Sequence, residues 1–377
     1  MKNMIRLIAI FLMVVISLGV YFGCGISYNY MEIDKYLLDV GFWGTILVMH
    51  EDNIVHLRAY GKADAEHNIK NTINTPFYLC SLTKQFTGAA ILVLEAEGKL
   101  NDSDTLDRFF PEYDKCKSIM ISDLLTMMAG TGDFLSELQS NWLSKPNFYA
   151  PIIESIISEQ SYIIAKYDGD PIGLEEALIN YDYEDAIYKR ISVEMTESLI
   201  LSEWDGNKSP VFTYSNSDYF LLGRIIEIVS GKTYQEYITE KLLIPAGMTN
   251  TGFAESHGAA VPHNDTIEHL SKGKYQFVFL YSAGNMISNV DDLSLWLDAY
   301  FGGKLFPISM LEKVNGYYNY GWHVTNDKRV YHHGEMKGVR TYIMYDIGNK
   351  TKVIILSNKL YNDELPNVII SLLSQVE

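Results

Sequence analysis

Phe77-Tyr78-Leu79-Cys80-Ser81-Leu82-Thr83-Lys84-Gln85-Phe86-Thr87-Gly88-Ala89-Ala90-Ile91 is the stretch on which the reading of this chain turns. From Ser81 to Glu97 the apolar residues Leu82, Phe86, Ala89, Ala90, Ile91, Leu92, Val93 and Leu94 fall nearly all round a helical projection. That is the pattern of a buried helix, and Gly98 ends it. Asn74-Thr75-Pro76 marks an extended approach from the N-terminal side. Ser81 therefore stands at the N-terminus of a buried helix, where free backbone N–H groups and the helix dipole favour developing negative charge. Three residues on, Lys84 shares its face. A lysine carried into a core must be paired or neutral. A neutral lysine can take the serine proton, the Ser-Lys form of nucleophilic catalysis. Alone the tetrapeptide is a weak signal: Ser81 equally suits a helix N-cap, and Lys84 could snorkel to the surface.

Working outward, two further short strings stand in order behind it, Tyr214-Ser215-Asn216 and His332-His333-Gly334. By itself one tyrosine among 27 is core packing, and a lone asparagine is turn chemistry. Gly44–His50 and Ile54–Tyr60 are β-rich runs joined by Glu51-Asp52-Asn53 and read as a hairpin. Helical patterns cover 119–129, 217–230 up to Gly231, a segment capped near Thr233 that runs towards Pro245, and 291–301 up to Gly302-Gly303. Strands return at 320–324, 329–332, 341–345 and 352–357 as an antiparallel meander. Strands at both ends with helices between them predict an α+β fold. Its central antiparallel sheet is built from both chain ends and flanked by helices, with a mostly helical region inserted.

A chain of 377 residues, 47% hydrophobic, can bury a large core in one domain or two closely packed ones. Its net charge of −17 argues against nucleic acid, which needs a basic stripe. Residues 1–24 differ from the rest. Lys2 and Arg6 precede an almost unbroken apolar run from Ile5 to Phe22, with no acid before Glu32. This predicts a secretory signal or membrane anchor, hence an exported, extracytoplasmic protein with its folded domain in 25–377. Gly23-Cys24 also fits a lipidation site, although Tyr21 and Phe22 are bulky for one; a buried N-terminal helix is the plain alternative. Cys80 and Cys116 have neither metal-ligand spacing nor a disulfide framework, and the neighbours of Cys80 suit a buried structural thiol.

Together these strings resemble the serine β-lactamase/penicillin-binding-protein superfamily, in particular class C β-lactamase-like proteins and their D-alanyl-D-alanine carboxypeptidase and esterase relatives. Besides Phe77–Ile91, the resemblance rests on Glu97-Gly-Lys-Leu100, Phe110-Pro-Glu-Tyr113, Asp123-Leu-Leu-Thr126, Phe212–Asn216, Tyr219–Gly223, Pro245–Met248, Ser282-Ala-Gly284 and Asp291-Asp-Leu293. It spans roughly residues 38–360, and many landmarks agree in order. Two departures stand out. Met127-Met128-Ala129-Gly130 replaces the usual His-Thr-Ser-Gly and reads as structural. Residues 133–210 form a long, Tyr-, Ile- and acid-rich insertion that either borders the cleft and reshapes substrate choice or is an outer cap.

The resemblance implies a set of roles. Ser81 would be the nucleophile, with Lys84 and Tyr214 sharing its proton. Asn216 would contact the substrate amide and Lys84. His332 would take the place of a substrate-binding lysine beside Gly334, whose missing side chain would admit substrate to the strand backbone. His333 would face the sheet's other side. The N–H groups of Ser81 and Glu335 would form an oxyanion hole. No metal or organic cofactor is implied. A histidine holds less positive charge than lysine at neutral pH and grips a carboxylate less firmly. The expected activity is therefore on a peptide of the D-Ala-D-Ala type or a small ester, ahead of efficient β-lactam hydrolysis. The competing expectation is a non-catalytic surface binding or sensor module that keeps the fold.

Overall fold

The computed structural model describes residues 32–140, 146–167, 169–170, 172–174, 177, 181, 183–255, 258–263 and 275–374. The expectations for residues 1–24, Cys24 among them, lie outside these. Among the described residues no helix is long and apolar enough to cross a membrane.

Twelve strands are described: β1 (Gly44–His50), β2 (Asn53–Tyr60), β3 (Lys62–Asp64), β4 (Ile69–Lys70), β5 (Phe77–Tyr78), β6 (Gly252–Phe253), β7 (Met286–Ser288), β8 (Tyr318–Asn319), β9 (Trp322–Val324), β10 (Arg329–Met336), β11 (Val339–Asp346) and β12 (Thr351–Ser357). Seven make the main sheet in the order β2-β1-β12-β11-β10-β9-β8, every neighbouring pair antiparallel. The two chain ends meet in it: β1 pairs with β12 from Gly44 opposite Ser357 to His50 opposite Thr351. The expected α+β architecture is the observed one.

Period-two alternation gives the sheet two apolar faces. On one, Leu47, Val330, Ile343, Ile354 and Leu356 pack into the large core around the Thr83–Ala96 helix. On the other, Ile46, Val48, Met344, Val353 and Ile355 pack with Ile33 and Leu37 and with Leu365 and Ile369 of the C-terminal Leu365–Ser374 helix. The Thr83–Ala96 helix is thus enclosed between the sheet and the Asn216–Ser230 helix, and every residue from Thr83 to Leu94 is buried. This accounts for a sequence that is apolar all round.

Three features position the site. A small sheet, β5-β7-β6, together with a hydrogen bond from Leu79 N to Met286 O (2.8 Å), fixes the chain just ahead of Ser81. The β8–β9 turn presses on the same helix: Tyr320 and Gly321 take φ of 49° and 84°, the primed turn a two-residue hairpin favours. A Cβ on Gly321 would lie 2.5 Å from the Lys84 carbonyl oxygen. Residues 133–210 contribute the helices Phe134–Ser140, Pro146–Lys166, Tyr183–Tyr188 and Val193–Glu203. One predicted helix is shorter than its apolar pattern suggested. The element at 119–129 closes after Ile121–Leu125, because Met127 enters the left-handed region (φ 54°) and the chain turns towards Tyr214.

Candidate active site

The nucleophile candidate sits on a tight turn. Cys80 has φ 50°, unusual and strained for a residue with a side chain. Cys80–Leu82 form a 3₁₀ turn, and the α-helix proper begins at Thr83, two residues later than the sequence pattern suggests. Ser81 is partly exposed while Leu79, Cys80, Leu82 and Lys84 are fully buried. Burial pushes the Cys80 thiol far above its ordinary range, so it stays protonated and unreactive.

Lys84 reaches back along the helix face to Ser81. Its Nζ lies 3.1 Å from Ser81 Oγ, 2.7 Å from Asn216 Oδ1 and 2.8 Å from the Ala283 carbonyl oxygen. Burial lowers its pKa to about 7, against the opposing pull of Asp133. On the other side of Ser81, the Tyr214 hydroxyl donates to Oγ at 2.8 Å. Burial raises the phenol well above its usual value, which keeps that donor protonated.

Tyr214 and Asn216 arrive together because a helix starts between them. Ser215 caps the Asn216–Ser230 helix by accepting from Asp218 N, and Gly231 closes it in the left-handed region. The Met127–Gly132 segment braces this helix start. Met127 O accepts from Thr213 N (3.1 Å), Met128 O accepts from Ser209 N (2.9 Å), and Ser215 Oγ donates to Gly132 O (2.8 Å). The Met127 side chain also takes part, its Sδ accepting from Ser215 N at 3.5 Å. Asp133 follows directly: its Oδ1 accepts from the Asn216 backbone N–H (3.2 Å) and from Asn216 Nδ2 (3.0 Å).

Strand β10 supplies the third motif. Its alternation buries His332 and Gly334 and turns His333 and Glu335 outward, where the Glu335 carboxylate pairs with Arg340. His332 is fully buried. Its Nδ1 lies 2.6 Å from the His333 carbonyl oxygen, a group that only accepts, so Nδ1 carries the proton. Nε2, 3.1 Å from the Tyr318 hydroxyl, then accepts from it. Burial holds the ring neutral, its pKa well below the ordinary value. Both ring nitrogens are engaged within the protein. The ring stands 6.3 Å from that of Tyr214, centroid to centroid, and backs the site. Gly334 is closely packed. A side chain there would meet Leu79 O at 2.4 Å, Thr341 Oγ1 at 2.6 Å and Cys80 Cβ at 3.0 Å. The missing side chain lets the strand lie against the nucleophile turn. Glu335 follows on the same strand, opposite Arg340 of β11.

Ser81, Lys84, Tyr214 and Asn216 therefore form one connected cluster, with His332 behind it and Gly334 beside it. Sequence reasoning missed Asp133, the Ala283 carbonyl as a lysine acceptor and Tyr318. Asp133 lies 83 residues from its partner, and only its place just after the Gly130-Thr131-Gly132 turn hints at a role. Among the described residues no group of His, Cys, Asp or Glu side chains could hold a metal ion.

Comparison with known proteins places the fold. A family profile described as Beta-lactamase matches residues 44–373. Protein PbpX of Bacillus subtilis (strain 168) is 26% identical over 350 residues, covering 89% of this chain and 76% of that protein. Protein flp of Staphylococcus aureus (strain N315) is 25% identical over 355 residues; the match covers 88% of this chain and 62% of the Staphylococcus protein, so this chain spans under two thirds of that relative. The crystal structure of a penicillin binding protein from Bacillus halodurans superposes with a TM-score of 0.68 at 18% identity, covering 90% of this chain and 99% of the other.

Proposed function

The chain belongs to the Beta-lactamase family, and from that premise we propose that it is a serine hydrolase forming an acyl-enzyme on Ser81. One observation carries this reading. Ser81 Oγ lies between Lys84 Nζ at 3.1 Å and Tyr214 Oη at 2.8 Å, on a turn whose backbone enters a helix N-terminus. With its pKa lowered by burial to about 7, Lys84 can give up its extra proton at neutral pH. The neutral amine takes the serine proton as Oγ attacks a carbonyl. The Ser81 and Glu335 N–H groups hold the oxyanion. As the carbonyl re-forms, the leaving group departs with a proton relayed through Lys84 and Tyr214. Water, deprotonated by the same pair, then releases the acid and regenerates Ser81.

The substrates that fit are a peptide of the D-Ala-D-Ala type, a small ester or a β-lactam. A neutral, fully hydrogen-bonded His332 supplies no strong positive charge at the position where a lysine would hold a substrate carboxylate, which favours peptide or ester turnover over efficient β-lactam hydrolysis. The apolar run of residues 5–22 supports export and attachment to a membrane through the N-terminus. Residues 25–377 would then form one hydrolase domain, and the helices of 133–210 would shape substrate entry. Initial rates on a p-nitrophenyl ester, nitrocefin and a D-alanyl-D-alanine peptide, for wild type and Ser81→Ala, test the reading. Turnover of one or more, lost in the variant, is expected. Turnover that survives Ser81→Ala refutes it, and none with any substrate favours a binding module.

A further inference from the structure

Behind the serine lies a second layer that decides how Lys84 presents itself. An amine without its extra proton has two N–H bonds and one lone pair. Asn216 Oδ1 and Ala283 O stand 2.7 Å and 2.8 Å from Nζ. If both are acceptors, they take the two N–H bonds and leave the lone pair for the third direction, towards Ser81 Oγ. A peptide carbonyl is always an acceptor. An asparagine amide is not: turned over, it would point its NH₂ at Lys84, draw the lone pair to itself and leave the serine without a base.

Asp133 removes that ambiguity. A carboxylate only accepts, and its Oδ1 takes both the backbone N–H and the Nδ2 of Asn216 (3.2 and 3.0 Å), while Oδ2 accepts from Ser136 Oγ (3.0 Å). The nitrogen end of the amide is committed to Asp133, so the oxygen end must face Lys84. We propose that Asp133 is a positioning residue of the acylation machinery: through Asn216 it aims the free base of Lys84 at Ser81. The inference rests on the acyl-enzyme reading of Ser81. It also ties the 133–210 helices to the chemistry, since Asp133 immediately precedes the Phe134–Ser140 helix and Phe134 N donates to Ser217 Oγ.

The carboxylate has a second effect, of charge. It opposes the burial that lowers the pKa of Lys84. The other titratable groups about Lys84 are Cys80 on its own turn, Tyr214 and Tyr219 on the facing segment, and His332 and His333 on β10. Burial keeps Cys80, Tyr214 and Tyr219 protonated and His332 neutral, the His333 pKa is lowered as well, and Asp133 is the carboxylate whose charge acts on Lys84.

The test is the pH profile of kcat and KM for an activated ester, with Asp133→Asn and Asp133→Ala beside wild type, each checked by thermal denaturation. Asp133→Asn can still turn an amide oxygen towards Asn216, so kcat at its optimum should stay within about threefold. Its acid limb should move to lower pH by roughly one pH unit, because a nearby negative charge is gone. Asp133→Ala should show the same displacement and, with the amide freed, a kcat at least ~10-fold lower at little change in KM. Purely structural capping predicts otherwise: unmoved acid limbs in both variants, with activity falling only in step with melting temperature. That result, or full activity in Asp133→Ala, overturns the proposal. If wild type turns over without an intermediate on Ser81, the acyl-enzyme reading itself fails, an outcome visible before any Asp133 variant is made.

Discussion

Gly334→Ala is the substitution whose consequence can be worked furthest. The added Cβ would stand 2.4 Å from Leu79 O, 2.6 Å from Thr341 Oγ1 and 3.0 Å from Cys80 Cβ. A carbon and a carbonyl oxygen normally approach no closer than roughly 3.3 Å, so β10 must retreat from the nucleophile turn by about 1 Å. Thr341 can rotate only by giving up its own hydrogen bond to Leu79 O (3.0 Å). Overpacking of this kind costs about 1–3 kcal/mol of stability, which the core between sheet and helices can absorb. Catalysis is more sensitive. The displacement lies between Ser81 and the Glu335 main chain, the two proposed oxyanion donors, and a misplacement of about 1 Å can cost about 100-fold. The assay is kcat/KM on an activated ester, with circular dichroism and a melting curve for the fold. A loss of about 100-fold with the fold kept and the melting temperature lowered is expected. His333→Ala, whose side chain points out of the opposite face, should stay within about twofold. A Gly334→Ala enzyme within about threefold of wild type would show that strand and turn are not in the register described, and the oxyanion assignment would fall with it.

Other consequences are simpler. Tyr214→Phe removes the 2.8 Å donor to Ser81 Oγ and should lower kcat about 100- to 1,000-fold with KM little changed; an unaffected kcat would leave Lys84 as the sole proton carrier. The pH dependence of kcat/KM follows from the two shifted groups. Lys84 must be unprotonated to act as base, so activity should fall as pH drops through about 7. Tyr214 is held protonated beyond the usual phenol range, so no fall is expected on the alkaline side until above about pH 10. An acid limb near pH 4 would point to a carboxylate base instead.

Elements whose boundaries are written in local chemistry were legible in the sequence. The Asn216–Ser230 helix begins at a serine cap and ends at a left-handed glycine, and the next helix is capped at Thr233 as its sequence suggested, with Glu236 completing a capping box. The hairpin and the meander followed from β-rich runs separated by turn residues. What stayed hidden depends on backbone geometry or on partners distant in sequence. Met127 turns left-handed inside a string that still looks helical. Cys80 does the same before Ser81 and leaves the serine on a 3₁₀ turn. β10 continues past His332 to Met336 because β11 pairs with it throughout, Met336 opposite Val339 at the far end. In the site, Ser81, Lys84, Tyr214 and Asn216 could be nominated from short strings. Asp133, the Ala283 carbonyl and Tyr318 could not, since each matters only through a contact across the fold. His332 was nominated for substrate, yet its ring is spent on Tyr318 and its own strand, a choice that burial makes and sequence does not record.

The central claim is that Ser81 carries the acyl group. Intact mass of residues 25–377 after incubation with a penicillin and, separately, with an activated ester tests it most directly, with peptide mapping and Ser81→Ala as control. The account predicts a covalent adduct mapped to the Ser81 peptide and absent from the variant, or, where deacylation outruns its capture, consumption of the compound that the variant abolishes. An adduct on another residue, or consumption unchanged in Ser81→Ala, would contradict it.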